Sequence, residues 1–163
     1  MTEKNKVDLQ NLNIWFGKTH VIKDISLSLR SNTITAIMGP SGCGKTTTLR
    51  MVAGFEMPEA GSILLAGTDI TSVPPNRRGM GMVFQSYALF PNMTAWNNVA
   101  FGLRIARLSS NEINKRVAEL LEMVGLGAEA KKKAGEYSKG MMQRLGFARS
   151  MVNKPIIWFL DEQ

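Results

Sequence analysis

Two short segments contain residue types whose order and spacing suit chemistry on phosphate groups. Residues 39–46 read Gly-Pro-Ser-Gly-Cys-Gly-Lys-Thr and fit the pattern G-x-x-x-x-G-K-[ST] of a phosphate-binding P-loop. Residues 156–162 form an apolar run that ends in two adjacent carboxylates, Asp161 and Glu162. The first segment can hold phosphates, and the second can hold Mg²⁺ and activate a water molecule. Together they indicate a nucleoside triphosphatase.

The glycines, Lys45 and Thr46 of the P-loop have predicted parts in phosphate binding. The glycines let the backbone wrap with its N–H groups pointing inward, and a helix predicted to start near Thr46 adds its positive dipole end. Lys45 supplies a point charge for the outer phosphates, while the Thr46 hydroxyl is a predicted Mg²⁺ ligand. The predicted phosphate-binding residues are Gly39, Pro40, Ser41, Gly42, Cys43, Gly44, Lys45, Thr46 and Thr47.

Cys43 is the only cysteine of the chain, so no internal disulfide can form, and this fits a reducing compartment. Its place inside the P-loop allows two interpretations. A thiol at a helix N-terminus can be reactive. The alternative is a small side chain that fills a variable position of the loop.

The adjacent carboxylates have distinct predicted roles. A carboxylate at the C-terminal end of a buried parallel strand points into the ligand crevice of an open α/β sheet. Asp161 is predicted to orient Mg²⁺ through water, since Mg²⁺ keeps several waters. Glu162 is predicted to polarise the attacking water. The alternative is that both carboxylates are merely solvated at the end of a strand.

Three further residues are weaker candidates when taken alone. Gln85 follows a predicted strand, and its amide can ligate Mg²⁺ or orient water, although such a residue is usually on the surface. Phe16 precedes Gly17 and could stack on adenine, although an aromatic at a strand end is more often part of the core. His20 is interpreted as a loop residue.

Period-two alternation and apolar runs predict strands that flank the two motifs. These predicted strands cover residues 7–16, 21–29, 33–38, 62–65 and 80–85. The strand over 33–38 runs into the P-loop, and a helix over 46–53, closed by Gly54, follows the loop. The run 156–160, which Pro155 precedes, is predicted to be a strand buried on both faces.

The pattern changes to helical after Pro91. Thr94 is a predicted cap for a helix over 95–107, and Ser110 for a helix over 111–124 that Gly125 ends. Ser138 is a predicted cap for a third helix that ends near Met151. The predicted class is α/β, with a P-loop core and an N-terminal antiparallel β subdomain over about 1–87 and 135–163, and a helical insertion over about 88–134.

Composition limits the classes of protein. The chain has 163 residues and a net charge of +7, and it holds neither an apolar run of bilayer length nor a secretory signal pattern. No aromatic residues interleave with its basic runs, Arg77–Arg78 and Lys131–Lys133, so nucleic acid is not an expected partner. These features predict a cytosolic protein that at most docks on a membrane.

Two segments between the motifs resemble one family. Residues 137–144 look like the LSGGQ signature of ATP-binding cassette (ABC) ATPases, and residues 85–91 resemble that family's Q-loop. The segments 74–79 and 93–99 are especially similar to importer ATPases of the maltose, spermidine/putrescine and ferric-iron types. The resemblance covers nearly the whole chain, and from Leu9 to about Leu126 it is closest to these importer ATPases.

The resemblance implies a set of roles and partners. Phe16 would be the adenine-stacking aromatic, and Gln85 would couple the Mg²⁺ site to the membrane partner. Ser138 and Gly140 would contact the γ-phosphate of ATP held by a second ABC ATPase subunit in a head-to-tail dimer. The implied cofactors are ATP and Mg²⁺. The implied partners are membrane permease subunits and an extracytoplasmic solute-binding protein, with the chain on the cytoplasmic face of the membrane.

Some residues depart from the family pattern. Lys139 and Met141 replace a Gly and the Gln of the signature, and the resulting Tyr-Ser-Lys-Gly-Met resembles exporter signatures. Gln163 stands where the family usually has Pro, and the family continues beyond it with a D-loop and a switch histidine. Three alternatives therefore stand beside an importer: an exporter ATPase, a non-transport ABC ATPase, and a truncated fragment that binds nucleotide weakly and has negligible turnover.

Overall fold

The computed structural model describes residues 5–161 and divides them into two compact units, one that ends at Arg78 and one that begins at Gly79. The elements of the first unit are β1 (Asn5–Phe16), β2 (Thr19–Arg30), α1 (Lys45–Ala53), β3 (Ala60–Leu65) and β4 (Thr68–Asp69). The elements of the second are β5 (Met80–Val83), α2 (Ala95–Ile105), α3 (Ser110–Met123), α4 (Lys139–Ser150) and β6 (Ile157–Leu160). No helix among these residues is long and apolar enough to cross a bilayer.

The sheet of the first unit is antiparallel, with strand order β2-β1-β3-β4, which confirms the predicted N-terminal β subdomain. In β1, Val7 and Leu9 are buried, and so are Leu12 and Ile14. The buried positions change from odd-numbered to even-numbered residues because the register shifts between Leu9 and Leu12, where Asn11 has a φ of 50°. This bulge keeps both halves of the strand facing the core.

The helix that follows the P-loop forms as predicted. Gly54 closes α1 in the left-handed region, with φ 87°, and its N–H donates to the carbonyls of Arg50 and Met51. Thr48, Met51, Val52 and Ala53 are the buried residues of this helix.

Arg78 binds the C-terminal end of α1 and was not predicted from the sequence. Its Nη1 donates to the carbonyls of Met51 and Val52 at 2.9 and 2.8 Å, and its other nitrogens donate to those of Val73 and Thr71. The side chain is 3% exposed, and burial lowers the pKa of its guanidinium. The cation lies at the negative end of the helix dipole, where it is stabilising.

We expect Arg78→Met to lower the free energy of unfolding by roughly 2–4 kcal/mol, because buried carbonyls would lose their donors. Urea unfolding measures this difference. Arg77→Met is the matched control. Arg77 is the residue next to Arg78, its side chain is exposed, and the variant removes the same charge. Equal stability of the two variants would contradict the capping role of Arg78.

The second unit has a helical core. Its largest fully buried side chains come from α2, α3, α4 and the turn after α3, and they are Val99, Val117, Leu120, Leu121, Leu126 and Leu145. Thr94 caps α2 as predicted, since its Oγ accepts the Asn97 N–H at 3.1 Å. The helix ends at Ile105, two residues before the predicted end.

The predicted cap of α3 was wrong by one residue. Ser109, not Ser110, is the N-cap, and it forms a capping box with Glu112. The Glu112 carboxylate accepts the Ser109 N–H at 3.0 Å and its hydroxyl at 2.6 Å, and these bonds lower the pKa of Glu112. The acidic residue three positions after Ser109 therefore selects it over its neighbour.

Two predictions about strands were also wrong: that residues 33–38 form a strand, and that the strand near residues 156–160 is buried on both faces. Residues 33–38 belong to neither sheet within the described chain, and Ile34 and Met38 are exposed. The sequence pattern of residues 33–38 favours an extended chain, but a strand also needs a neighbouring strand to accept and donate its main-chain hydrogen bonds, and the pattern does not provide one. The last strand, β6, pairs in parallel with β5 in a two-stranded sheet, where Phe159 is buried while Trp158 and Leu160 are about half exposed. Successive side chains of a strand point to opposite faces of the sheet. When only one face packs against other residues, only every second side chain is buried.

Candidate functional site

The P-loop turns into α1 at Gly44, which is the N-cap of the helix with φ 94°. A β-carbon at this position would lie 2.4 Å from Cδ1 of Ile22, a buried residue of β2. Both the dihedral angle and the space therefore require glycine. Gly44 also has no side chain to cap the helix, and the described first turn contains no acidic residue. Such a helix start favours an external anion.

The side chain of Lys45 folds back into the P-loop, toward the residues that precede it in the chain. Its Nζ donates to the carbonyls of Gly39 and Pro40, both at 2.7 Å, and lies 3.7 Å from Sγ of Cys43. A β-carbon on Gly39 would lie 2.8 Å from the same sulfur, so the loop is tightly closed. The ammonium thus adds a full positive charge beside the positive end of α1.

The first turn of α1 is fixed to the loop by Thr48. Its N–H and its hydroxyl both donate to the Gly44 carbonyl, at 2.8 and 3.0 Å. Thr46 and Thr47 are half-buried in the same turn. Of the predicted loop residues, Pro40, Ser41, Gly42 and Cys43 are exposed and accessible to a ligand.

The β1–β2 hairpin presents aromatic rings near its turn. Phe16 pairs with Thr19 at the last position of β1, and its side chain is 49% exposed, so it is not a core residue. Next to it, Trp15 stacks on His20 with ring centroids 3.9 Å apart. His20 lies in β2, so its interpretation as a loop residue was wrong. The cross-strand pair with Trp15 explains its position.

In the second unit, the carboxyl ends of the two parallel strands meet at one edge. The Asp161 N–H donates to the Val83 carbonyl at 3.0 Å, which continues the β5–β6 ladder by one residue. Asp161 is 7% exposed, and Gln85 follows Val83 by two residues in an exposed turn. The structure thus brings Asp161 to the edge from which the Gln85 segment departs. Glu162 lies outside the described residues.

The segment after Gln85 is held by Asn98, a residue that was not singled out in the sequence. The Asn98 side chain is fully buried, accepts the Phe90 N–H at 2.9 Å, and donates to the carbonyls of Phe90 and Thr94 at 3.0 Å. The one sequence signal for this role of Asn98 is that a polar residue lies on the helix face of α2 that also contains the buried residues Ala95 and Val99.

Ser138 caps α4 as predicted, since its Oγ accepts the Met141 N–H at 3.3 Å. A β-carbon on Gly140 would meet nothing within 4 Å, and both residues are exposed, so this helix end is open. Tyr137 anchors the preceding turn by donating from its hydroxyl to the Glu129 carbonyl at 2.8 Å, and burial raises the pKa of Tyr137. The N-terminus of α4 is thus a fixed and accessible position for an anion.

The predicted metal ligands offer only oxygen donors, which suit Mg²⁺. Thr46 belongs to the first unit, while Gln85 and Asp161 belong to the second. Among residues 5–161, no group of three His, Cys, Asp or Glu side chains could hold a metal by itself. Each of these hydroxyl, amide and carboxylate oxygens is of the kind that Mg²⁺ accepts while it keeps several of its waters.

Comparison with known proteins gives consistent matches. Residues 22–163 match the family model described as ABC transporter. The chain is 53% identical over 144 residues to the spermidine/putrescine import ATP-binding protein PotA of Thermobifida fusca, which covers 88% of this chain and 38% of that protein. It is 44% identical over 157 residues to the PotA of Thermotoga maritima, with 96% and 43% covered.

A solved structure gives the same match at the level of the fold. The structure of cbiO1 from Clostridium perfringens, part of the ABC transporter complex cbiONQ, superimposes with a TM-score of 0.87 at 29% identity. The match covers 98% of this chain and 66% of that one. The chain therefore spans well under half the length of the curated relatives above and about two thirds of this structure.

Proposed function

Because the chain belongs to the ABC transporter family, we propose that it is the ATP-binding part of a solute importer, which hydrolyses ATP to drive membrane permease subunits. The observation that carries the proposal is the P-loop, in which the Lys45 ammonium lies among loop carbonyls next to the uncapped N-terminus of α1. Import is favoured by the relatives, since both PotA proteins are named import ATP-binding proteins.

In this proposal the first unit binds the nucleotide. The main-chain N–H groups of residues 41–47 surround the phosphates, and Lys45 exchanges its loop carbonyls for phosphate oxygens. Phe16 stacks on the adenine, which its exposure at the hairpin end supports. Thr46 would hold Mg²⁺ through its hydroxyl oxygen.

The second unit supplies the residues for hydrolysis. Asp161 would hold Mg²⁺ through water, and Gln85 would join it through its amide oxygen. When bound, Mg²⁺ neutralises charge that develops on the phosphate oxygens. Glu162 polarises the attacking water and accepts its proton. The position of Asp161 at the carboxyl edge of β5 and β6 supports this assignment.

The open N-terminus of α4 suits a second nucleotide. We infer that Ser138 and Gly140 contact the γ-phosphate of ATP held by another ABC ATPase subunit, in a head-to-tail dimer.

Residues 88–134 would form the helical subdomain, and together with residues 87–91 they would dock the permease on the cytoplasmic face of the membrane. Residues 1–87 and 135–163 would then belong to the α/β core. A solute-binding protein outside the membrane would complete the importer.

Cys43 gives a direct test of nucleotide placement, since it is the only thiol and is exposed beside Lys45. We expect saturating MgATP to slow alkylation by N-ethylmaleimide at least about tenfold, because a loop that holds phosphate excludes the reagent. The same ATP concentration should give clearly less protection in Lys45→Ala, because this variant binds ATP more weakly. A labelling rate that ATP leaves unchanged would contradict the placement of Cys43 beside the phosphates.

An exporter is the second candidate, favoured by Lys139 and Met141 in the signature segment. Transport direction separates the two, because an importer in inverted vesicles moves solute outward when ATP is added outside, and an exporter moves it inward. A non-transport ABC ATPase would instead show salt-sensitive binding to polynucleotides.

A further inference from the structure

The turn that follows Gln85 is strained. Tyr87 and Ala88 have φ values of 57° and 46°, which place two successive side-chain-bearing residues in the left-handed region. Each such residue costs about 1–2 kcal/mol. A strained conformation persists when its surroundings hold it in place, and strained residues cluster at functional sites.

One face of α4 holds this turn. Arg149 donates from Nη1 to the Ala88 carbonyl, and its guanidinium lies 4.7 Å from the centre of the Phe90 ring. Gly146, three residues earlier on the same helix face, lies against Tyr87, so that a β-carbon there would be 3.3 Å from Cβ of Tyr87. The hydrogen bond, the cation–π contact and the close approach all act on residues 87–90.

The other side of the turn is held by α2. Phe90 packs against Phe101 with ring centroids 4.9 Å apart, and its main chain is bound by Asn98. Arg149 is half-buried, and burial lowers the pKa of its guanidinium. The Ala88 carbonyl and the Phe90 ring position the half-buried Arg149 guanidinium, and the guanidinium in return holds the turn.

We propose that Arg149 is a positioning residue that holds the 85–88 turn from α4 and thereby fixes where the Gln85 amide stands at the Asp161 edge. The inference rests on the proposed function, in which Gln85 and Asp161 serve the same Mg²⁺. It also makes α4 a rigid connection between Ser138 at its N-terminus and the Gln85 turn near its C-terminus.

The test uses the full-length protein and compares Arg149→Met with Arg144→Met. Arg144 is a matched control because it lies on the same helix and also donates to carbonyls, those of Val124 and Gly125 at 3.1 and 3.3 Å. Amide hydrogen exchange over residues 85–90 measures the turn itself. The Mg²⁺ concentration for half-maximal ATP hydrolysis measures the position of Gln85.

We expect Arg149→Met to raise exchange over residues 85–90 at least about tenfold and to raise the half-maximal Mg²⁺ concentration by about tenfold, as for the loss of an outer-shell partner of a metal. Binding of ATP without Mg²⁺ should stay within about twofold. Arg149→Lys should recover part of both effects, and Arg144→Met should change neither. Identical behaviour of Arg149→Met and Arg144→Met would overturn the proposal.

Gly146→Ala provides a second variant if Arg149→Met does not fold. Its added methyl group displaces Tyr87 by a few tenths of an ångström, and it should raise exchange over the same residues. Unchanged exchange in Gly146→Ala would count against a turn held from α4. If the unmodified protein shows no Mg²⁺-dependent hydrolysis, the proposed function fails, while the exchange measurement still decides the role of Arg149.

Discussion

Lys45→Ala is expected to weaken MgATP binding by roughly 10–100-fold. A charge-assisted hydrogen bond contributes about 1.5–3 kcal/mol, and each 1.4 kcal/mol changes an affinity tenfold. The ammonium lies among the carbonyls of Gly39 and Pro40, so it is already beside the main-chain N–H groups that would receive phosphate. Its removal takes away the loop's cation and two hydrogen bonds that close the loop. Equilibrium binding of a fluorescent ATP analogue measures the change.

Lys18→Ala is the control for this experiment. Lys18 lies in the exposed turn of the β1–β2 hairpin, in the same unit, and its loss removes the same net charge. We expect its affinity for MgATP to stay within about twofold, since an exposed charge is screened by salt. If both variants bind MgATP equally well, the assignment of Lys45 as the phosphate cation is wrong.

Glu162→Gln is expected to leave MgATP binding within about twofold and to lower the turnover number by roughly 10²–10⁴-fold in the full-length protein. General base catalysis contributes about this factor, and a neutral amide cannot accept a proton from water. The prediction rests on the place of Glu162 directly after Asp161 and the β6 strand. Steady-state phosphate release together with nucleotide binding separates the two quantities.

Glu129→Gln serves as the control for Glu162→Gln. Glu129 is an exposed carboxylate that pairs with Lys132 at 3.9 Å, and its neutralisation should leave hydrolysis unchanged. Normal turnover by Glu162→Gln would remove that residue from the catalytic role, and Asp161 would then be the first carboxylate to examine.

The features predicted correctly from the sequence are those that local spacing controls. Gly54 ends α1, while Thr94 and Ser138 cap their helices, because each acts on backbone groups within a few residues. The cap of α3 was misplaced by one residue, since two serines are adjacent and only the reach of Glu112 decides between them. The turn from the P-loop into α1 was equally predictable, since Gly44 and Lys45 lie at the start of that helix.

The features that were missed depend on partners far away in the chain. Arg78 binds carbonyls up to 27 residues away, and Arg149 binds Ala88 across 61 residues. No periodic pattern encodes such a pair. Burial of residues 33–38 and of β6 likewise depends on which strands lie beside them. The roles of the candidate site residues remain predictions, because local geometry shows what they can contact and not what they bind.

Isothermal titration of MgATP into this chain tests the central claim most directly. We expect saturable binding of one ATP per chain, which EDTA weakens and which Lys45→Ala weakens by roughly 10–100-fold. The one-to-one stoichiometry follows from a single P-loop. No saturable binding at millimolar MgATP, or binding that Lys45→Ala leaves unchanged, would contradict the claim that this P-loop is a nucleotide site.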